Sequence, residues 1–572
     1  MTHHLRRSLL KLLQPWTAAA VLALAAPTWA AEPVDLPADP VADEDEPVTL
    51  EAEVVVSDAA LTQWLREGNS LLEDERYLDA ALRFKKLVDT GQEANPLVQE
   101  AQYSLGVALF EMGLYQSALT RFEPIVDSGK DHPQYAKTLV YLLQISRATG
   151  SDPSVLLKIA DYPPEMYPPA LKDELHFLVG LYFYGESRLS EALARFQEVS
   201  EGNEDFFVRS KYLDGVIRVA QSGLGTDAKE VDADALTQAG ESFKAVLRVQ
   251  RDQGGSDTID RVAGQAILAL GRLFYSTRQY DVAVRYYDQI EDESPQWLDS
   301  LYEVSWVHYQ LKHYPRALGN LHTLNSPYFA DQYYPESRVL QALILFYNCR
   351  YDEADVIVKQ FVQDYFPLMD RLGKEINQFA DPNAFYQWLA QLSKSDDVEY
   401  SARFQRIFNA ALADKKLRRK FDTVAKLNAE LARIDNLAGP QGATDGLLGA
   451  LKGEITGYRF LVVGEAGGLA QARLIRLLGD LRRHLAGAIK IRQETRKARR
   501  GDSSDGVLQE QAAAAAAKQE IVVDDEHIEW PFTGEYWKDE LGSYLYDIDS
   551  LCKMEPDSGG AAPTPPAEGG EQ

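Results

Sequence analysis

Histidines and clustered acidic residues are the side chains of this 572-residue sequence whose types could support catalysis or metal binding. Metalloproteases, serine hydrolases and dithiol oxidoreductases use the spacings HExxH, GxSxG and CxxC, and the sequence contains none of these motifs. Of the nine histidines, His176, His308, His313 and His322 fall within the helix pairs predicted below, where a packed or exposed imidazole is the ordinary role. The run Asp524–His527 is a single acidic cluster in a linker, which is weak evidence for a metal site.

A glycine-rich stretch from Gly453 to Gly468 superficially resembles a phosphate-binding loop over residues 461–468. It lacks the Gly-Lys-Ser/Thr ending of a P-loop and the GxGxxG spacing of a dinucleotide site. We therefore interpret these glycines as flexible residues at a break between two helices. Together, these observations predict a protein that is not an enzyme, with no catalytic residue, no cofactor and no metal ligand.

Small and aromatic residues return at a fixed spacing between residues 61 and 366. Four glycines each lie twelve positions before an alanine, and the pairs are Gly68–Ala80, Gly106–Ala118, Gly180–Ala192 and Gly271–Ala283. Aromatic residues such as Phe84 and Phe122 follow four positions after the alanine. This spacing predicts a repeated helix-turn-helix unit, in which the small residues let two helices approach closely and the rings fill the space around them.

The pattern resembles the tetratricopeptide repeat, a helix pair with a usual period of 34 residues. Ala283 and Ala317 are 34 residues apart, and slightly longer intervals elsewhere fit longer loops. The resemblance implies an all-α fold, a solenoid of about eight helix pairs over residues 58–368 whose fifth pair is interrupted by the polar insert Gln221–Asp234. It also implies a surface that binds other proteins.

The first 30 residues have the pattern of a secretory signal peptide. Arg6, Arg7 and Lys11 form the positive region, Ala18–Ala26 is the apolar stretch, and we expect cleavage after Ala30. The two arginines weakly resemble a twin-arginine signal, but ordinary charges of the positive region explain them more simply. The sequence therefore predicts a bacterial periplasmic protein.

The composition of the chain is strongly acidic, with a formal net charge of −28. Removal of the three cations of the signal peptide leaves −31 (−28 − 3), and residues 31–57 read as an acidic disordered linker. Such a chain repels nucleic acid and anionic membrane surfaces. After residue 30 no stretch of about 18 consecutive apolar residues occurs, so we expect no direct membrane insertion.

Residues 369–500 continue as helix after the repeat pattern fades. Apolar residues at steps of three and four begin at Phe421 and again at Leu474, which predicts a helical hairpin or short coiled coil that extends or caps the solenoid and could self-associate. Basic clusters lie at residues 415–420 and 490–500. They fit either a solvated helix face or an electrostatic contact with an acidic partner or with the acidic repeats of this chain.

Near the C-terminus, residues 529–553 form an aromatic segment between a disordered linker (501–528) and a disordered tail (554–572). A disordered segment is poor in aromatic rings, so these rings must be buried somewhere. They could pack on the helical domain of this chain, or they could bind a partner, for which tryptophan and tyrosine are favoured anchors. The candidate partner-binding residues are Trp530, Phe532, Tyr536, Trp537, Tyr544 and Tyr546.

The chain has two cysteines, Cys349 and Cys552. Cys349 is expected in the first helix of the last pair, as a small buried apolar residue. A bridge between the two cysteines is chemically allowed in the periplasm, and both possibilities stay open.

The order of segments also resembles that of large periplasmic tetratricopeptide-repeat proteins of the gliding-motility machinery. The resemblance rests on this architecture and on a short motif formed by Trp537, Asp539, Glu540, Leu541 and Tyr544. It implies an interaction scaffold with protein partners in the cell envelope. The alternatives are a periplasmic assembly factor or chaperone for outer-membrane proteins, and the targeting arm of a cell-wall enzyme.

Overall fold

The computed structural model describes residues 56–225, 230–253, 256–330, 332–392, 406–407, 409–411, 414–443, 446–500 and 533–552. Within these ranges the regular elements are helices, and they include no β-strand. The signal peptide, Asp524–His527, Trp530, Phe532 and the last twenty residues lie outside them.

Sixteen helices form eight consecutive pairs, which confirms the predicted all-α solenoid. The pairs are α1 (Asp58–Glu73) with α2 (Tyr77–Val88), α3 (Pro96–Glu111) with α4 (Tyr115–Asp127), α5 (Tyr135–Thr149) with α6 (Pro153–Ala160), α7 (Lys172–Gly185) with α8 (Leu189–Gln197), α9 (Glu204–Gln221) with α10 (Ala233–Gln253), α11 (Asp257–Ser276) with α12 (Tyr280–Tyr287), α13 (Trp297–Leu311) with α14 (Tyr314–Leu324), and α15 (Pro335–Tyr347) with α16 (Tyr351–Ile376).

A glycine of the first helix meets an aromatic ring of the second helix in five of the pairs. A Cβ atom added to Gly106 would lie 2.5 Å from Phe122, and one added to Gly180 would lie 2.6 Å from Phe196. Gly68, Gly215 and Gly271 make the same contact with the rings of their own pairs. The close approach predicted from the glycine spacing is therefore confirmed, and the interrupted fifth pair keeps it.

Residues with a left-handed backbone conformation lie in the turns within the pairs. The described non-glycine residues with positive φ have values between 58° and 64° and all lie in such turns: Glu75, Ser151, Ser187, Arg278, Lys312 and Cys349. The expected place of Cys349 in a helix is therefore wrong. Because α15 ends at Tyr347, Cys349 takes the left-handed position of the turn that leads to α16.

Beyond the eight pairs, the described residues include the helices α17 (Pro382–Leu392), α18 (Lys415–Ala438) and α19 (Gly446–Arg500). The last two form the predicted hairpin, since Lys452 pairs with Asp435 and Lys420 pairs with Glu465, both at 2.6 Å, in antiparallel register. The hairpin packs back along the solenoid rather than beyond its end, because Val424, Leu427 and Ile434 of α18 belong to the same apolar core as the first pairs.

The expected helix break at the glycine-rich stretch is wrong, because α19 runs without interruption through Gly453–Gly468. The structure gives part of these glycines a packing role. A Cβ atom on Gly467 would lie 1.9 Å from the carbonyl oxygen of Pro382, and one on Gly464 would lie 3.1 Å from Asn383. Glycine therefore lets the start of α17 rest directly on α19. Among the described helices, none combines the length and apolarity needed to cross a bilayer.

Replacement of Gly106 by alanine tests the contact within the pairs. We expect Gly106→Ala to lower the free energy of unfolding by about 1–3 kcal/mol, since the new methyl group overpacks against Phe122. Gly453→Ala is the matched control, because no atom lies within 4 Å of its Cβ position. We expect this control to raise the free energy by up to about 1 kcal/mol through helix propensity. Denaturant unfolding followed by circular dichroism measures both, and equal effects would contradict the close-contact explanation.

Candidate protein-binding surfaces

Residues 542–552, here called the strap, cover one face of α14 in the seventh pair. The strap begins in a turn at residues 542–543 and continues without helix or turn through residues 544–552, and burial alternates along it with a period of two. The half-buried residues are Gly542, Tyr544, Tyr546, Ile548, Ser550 and Cys552, and the odd-numbered residues between them are exposed. One face of the strap therefore lies on the solenoid and the other faces solvent.

Main-chain hydrogen bonds fix the direction of the strap. The N–H of Gly542 donates to Thr323 Oγ1 at 2.9 Å, and the N–H of Tyr546 donates to the carbonyl oxygen of Pro315 at 3.0 Å. Eight helical residues rise about 12 Å and four extended residues span about 13 Å, so the two chains match in length. The strap thus runs antiparallel to α14.

An imidazole on α14 holds two aromatic rings of the C-terminal segment. Tyr536 stacks on His322 with ring centroids 4.5 Å apart, and Tyr544 meets the same ring edge-on at 5.0 Å. The N–H of Trp537 donates to the Tyr544 hydroxyl at 2.9 Å. Burial, followed by the charge of Arg338, lowers the pKa of His322, which favours the neutral ring in this aromatic stack.

Two glycines allow the strap to lie close to the solenoid. A Cβ atom on Gly319 of α14 would lie 1.7 Å from the carbonyl oxygen of Tyr544, and one on Gly542 would lie 2.7 Å from Trp297. Side chains at these two positions would push the strap away from the helix. The contact therefore depends on the absence of side chains on both partners.

A disulfide between Cys349 and Cys552 anchors the C-terminal end of the strap. Nearby, the N–H of Leu551 donates to the carbonyl oxygen of Asn348 at 3.0 Å, and Arg350 donates to the carbonyl oxygen of Asp549 at 3.1 Å. The bridge that the sequence left open is present, and it joins the strap to the turn between α15 and α16.

Of the candidate partner-binding residues inside the described ranges, Tyr536, Tyr544 and Tyr546 contact the chain's own solenoid. Trp537 is half-buried beside Tyr544. Their contact with another protein stays a prediction. The sequence reasoning missed Gly319 and the histidine stack, and the signal that could have revealed the strap is the alternation of Tyr544, Tyr546 and Ile548.

A second surface, formed by the turns of the second and third pairs, is occupied by α18. Glu430 caps the start of α4, because its carboxylate accepts the N–H groups of Gln116 and Ser117, each at 2.9 Å. Arg433 donates to the carbonyl oxygen of Met112 at the end of α3, at 3.1 Å. These charges complement the partial charges at helix ends.

Seven residues earlier in α18, similar contacts are made with the third pair. Lys426 donates to the carbonyl oxygen of Thr149 at the end of α5, and Thr423 donates to Asp152, the N-cap of α6, at 2.6 Å. Seven helical residues rise about 10.5 Å, which is close to the usual distance of about 8–10 Å between packed helices. One heptad of α18 therefore spans one pair of the solenoid.

The basic clusters also contact the acidic solenoid. At the end of α19, Arg492 pairs with Asp355 at 2.7 Å and Arg499 pairs with Asp352, both residues of α16. The sequence allowed either a solvated helix face or an electrostatic contact at this cluster. The structure shows a contact with the acidic repeats of the same chain.

At the start of α18 a group of cations, here called the cation cluster, has no such partner. Burial and then the charges of the neighbouring arginines lower the pKa of Lys415, which shows that these cations converge. No member forms an ion pair within the described part of the chain. The members are Arg209 of α9, Arg261 of α11, and Lys415, Arg418 and Arg419 of α18.

Histidine, cysteine and acidic side chains are spread over the described residues. The described residues include no group of three or more histidine, cysteine or acidic residues placed to hold a metal ion. His176 and His308 are buried between helices, and burial, with the nearby charge of Arg316, lowers the pKa of His308 to about 4. These rings therefore pack as neutral groups.

Comparison with known proteins identifies part of the repeat region. The tetratricopeptide-repeat family model matches residues 65–133, from α1 to the loop after α4. No curated protein matches the chain. The apo form of RapI is 13% identical with a TM-score of 0.33, over 62% of this chain and 99% of that chain. A tetratricopeptide repeat protein from Parabacteroides merdae is 12% identical with a TM-score of 0.23, over 53% and 93%. Similarity at these TM-scores carries no functional inference.

Removal of the Glu430 carboxylate tests how α18 docks. We expect Glu430→Ala to lower the free energy of unfolding by about 2–4 kcal/mol, because the N–H groups of Gln116 and Ser117 lose their acceptor in a buried place. Glu430→Gln keeps one acceptor oxygen, so we expect less than about half of that loss. Hydrogen exchange of α18 amides reports the docking itself, and unchanged protection in Glu430→Ala would contradict this role.

A buried carboxylate, Glu336 in α15, gives the solenoid a pH dependence. Burial raises its pKa to about 7, although Tyr302 donates a hydrogen bond to it. Between pH 4.5 and 7 the unfolded chain ionises first, so this residue lowers stability as the pH rises. We expect Glu336→Gln to gain about 3 kcal/mol relative to the wild type between pH 4.5 and pH 8. Unfolding of both proteins at the two pH values measures this gain, and a constant difference would contradict it.

Proposed function

We propose that the chain is a non-enzymatic protein–protein interaction scaffold of the bacterial periplasm. The match of the tetratricopeptide-repeat family model to residues 65–133 supports the scaffold role. The signal-peptide pattern of residues 1–30 supports the location. Solenoids present long surfaces formed by successive repeats, and such surfaces bind helices and extended segments of other proteins.

The observation that carries this proposal is the cation cluster. Five cations from three helices lie near one another in a chain whose net charge is −28, and none of them forms an ion pair within the described residues. Carboxylates act on two of them at longer range, Asp205 on Arg209 and Asp152 on Arg419. Converging like charges repel each other, so an arrangement of this kind is destabilising until an anion neutralises it. At the C-terminal end of α19, Asp352 and Asp355 neutralise the arginines of the second basic cluster. An acidic segment of a partner would do the same here.

Arg209 shows how the cluster is prepared for such a segment. Its guanidinium lies 4.2 Å from the ring of Phe177, which holds the cation in place without neutralising it. Lys415 and Arg418 expose part of their side chains at the start of α18, where a partner can reach them, although the protein around the Lys415 amine lowers its pKa. The arrangement fits glutamate or aspartate side chains, and it disfavours a basic partner such as a cationic peptide.

The order of signal, solenoid and hairpin supports a place in a complex of the cell envelope, and we propose gliding-motility machinery as that complex. This finer assignment rests on the resemblance of the architecture and of the short motif around Trp537.

Charge reversal at the cation cluster tests the scaffold. The double variant Lys415→Glu/Arg418→Glu is compared with Arg476→Glu/Arg482→Glu, which makes the same charge change at two exposed positions of α19. Each tagged chain is expressed from its own chromosomal locus, cross-linked mildly and purified, and partners are identified by mass spectrometry. We expect the first variant to lose roughly tenfold of its main partner and the second to keep it, since close charge pairs fix specific contacts.

The identity of the recovered partner separates the possible roles, and a mature chain that begins at Ala31 in the periplasmic fraction verifies export. Motility or other envelope components would support the complex proposed here. Recovery of only unfolded outer-membrane proteins would indicate an assembly factor, and a cell-wall hydrolase would indicate a targeting arm. Equal recovery by both double variants would overturn the role of the cation cluster.

A further inference from the structure

The face of α14 has the properties of a general acceptor for extended chains. Two of its acceptors, Thr323 Oγ1 and the carbonyl oxygen of Pro315, bind main-chain N–H groups four residues apart, and the carbonyl oxygen of Asn348 binds a third. Such contacts recognise a backbone rather than particular side chains. Gly319 leaves the room that the backbone needs. The same combination underlies binding of extended segments to other proteins.

Side chains at alternate positions supply the selectivity of this face. Tyr546 and Ile548 pack against the apolar core of the seventh and eighth pairs, and Tyr544 meets His322. The intervening positions face solvent and impose no requirement on their residues. A segment that fits therefore has a small residue followed by aromatic, aromatic and aliphatic residues at every second position.

Without the disulfide, the strap would bind the α14 face only weakly. Ordering eleven residues in one conformation costs entropy at each residue, and hydrogen bonds with one-sided burial offset only part of that cost. Leu545 is 36% exposed and Leu551 is 63% exposed, so two apolar side chains of the strap gain little from docking. The covalent link at Cys349 therefore contributes much of the preference for the docked strap.

We propose that the α14 face is a binding site for an extended segment of a partner protein with this alternating pattern, and that the strap is its intramolecular competitor. The Cys349–Cys552 disulfide determines which of the two is bound. The inference rests on the proposed scaffold function and names one of its binding sites, which is separate from the cation cluster.

Opening of the Cys349–Cys552 disulfide is a two-electron reduction by a dithiol. The dithiol attacks the Cys349–Cys552 bond, the sulfur–sulfur bond breaks, and both cysteines become thiols as the dithiol closes to its own disulfide. Its two protons pass to the two released sulfurs. The strap is then held on α14 by its non-covalent contacts alone, and a partner segment can displace it.

A synthetic peptide with the sequence of residues 536–551 serves as the probe, labelled at its N-terminus for fluorescence anisotropy. It is added to the oxidised wild type and to a full-length released variant, Cys552→Ser/Tyr546→Pro. The proline removes the N–H that donates to Pro315, and the serine removes the disulfide. We expect the peptide to bind the released variant at least about tenfold more tightly than the oxidised wild type, because the competitor is gone.

Gly319→Ala in the released variant tests the location of the site, since the added methyl group would lie 1.7 Å from the bound backbone. Alanine favours the helix, so we expect α14 to stay folded and peptide affinity to fall at least about tenfold. Gly453→Ala in the same variant is the control and should leave affinity unchanged.

Hydrogen exchange supplies a second measurement on the wild-type chain. We expect dithiothreitol to speed exchange at the amide of Tyr546, which is bonded to Pro315 in the docked strap. No binding to a released variant with a native circular dichroism spectrum, equal binding to the oxidised wild type, or full binding after Gly319→Ala would each overturn the inference. None of these results depends on the cation cluster, so failure here leaves the proposed function to its own test.

Discussion

Contact between a glycine and an aromatic ring inside five of the eight helix pairs is the constraint on which the rest of the structure depends. In the second pair Gly106 rests on Phe122, and in the fourth pair Gly180 rests on Phe196, sixteen residues apart in both cases. The contact sets how closely the two helices approach, and the repetition of the same distance sets the spacing between successive pairs. Every surface of the solenoid inherits that spacing.

The hairpin depends on this regularity. Because α18 is itself a regular helix, its side chains meet the same feature of each successive pair only if the pairs are spaced by about one heptad. Arg433 and Lys426 reach equivalent carbonyl groups in the second and third pairs. The helix therefore aligns with the solenoid through backbone charges at helix ends. At its own start α18 leads into the cation cluster, whose members form no ion pair within the described residues.

Sequence reasoning could predict the features that repeat, since each glycine, alanine and ring occurs several times at one spacing. It failed where a residue has one occurrence and a long-range partner. The glycines near Gly467 resemble a break until Pro382, eighty-five residues earlier, is seen to rest on them. Cys349 follows an apolar stretch, so it is expected to continue the helix, but it takes the left-handed position of the turn after α15. The strap shows a two-residue alternation, yet nothing local identifies α14 as the surface beneath it.

Cys349 and Cys552 are separated by 203 positions, so their bond turns the last third of the protein into a covalent ring. The ring contains α16, α17 and the whole hairpin. A peptide bond cut anywhere inside it leaves a single molecule, because the two halves stay joined through sulfur. The solenoid can thus lose the continuity of its backbone after α15 and still carry its strap, so under oxidising conditions a single covalent molecule does not imply an intact chain.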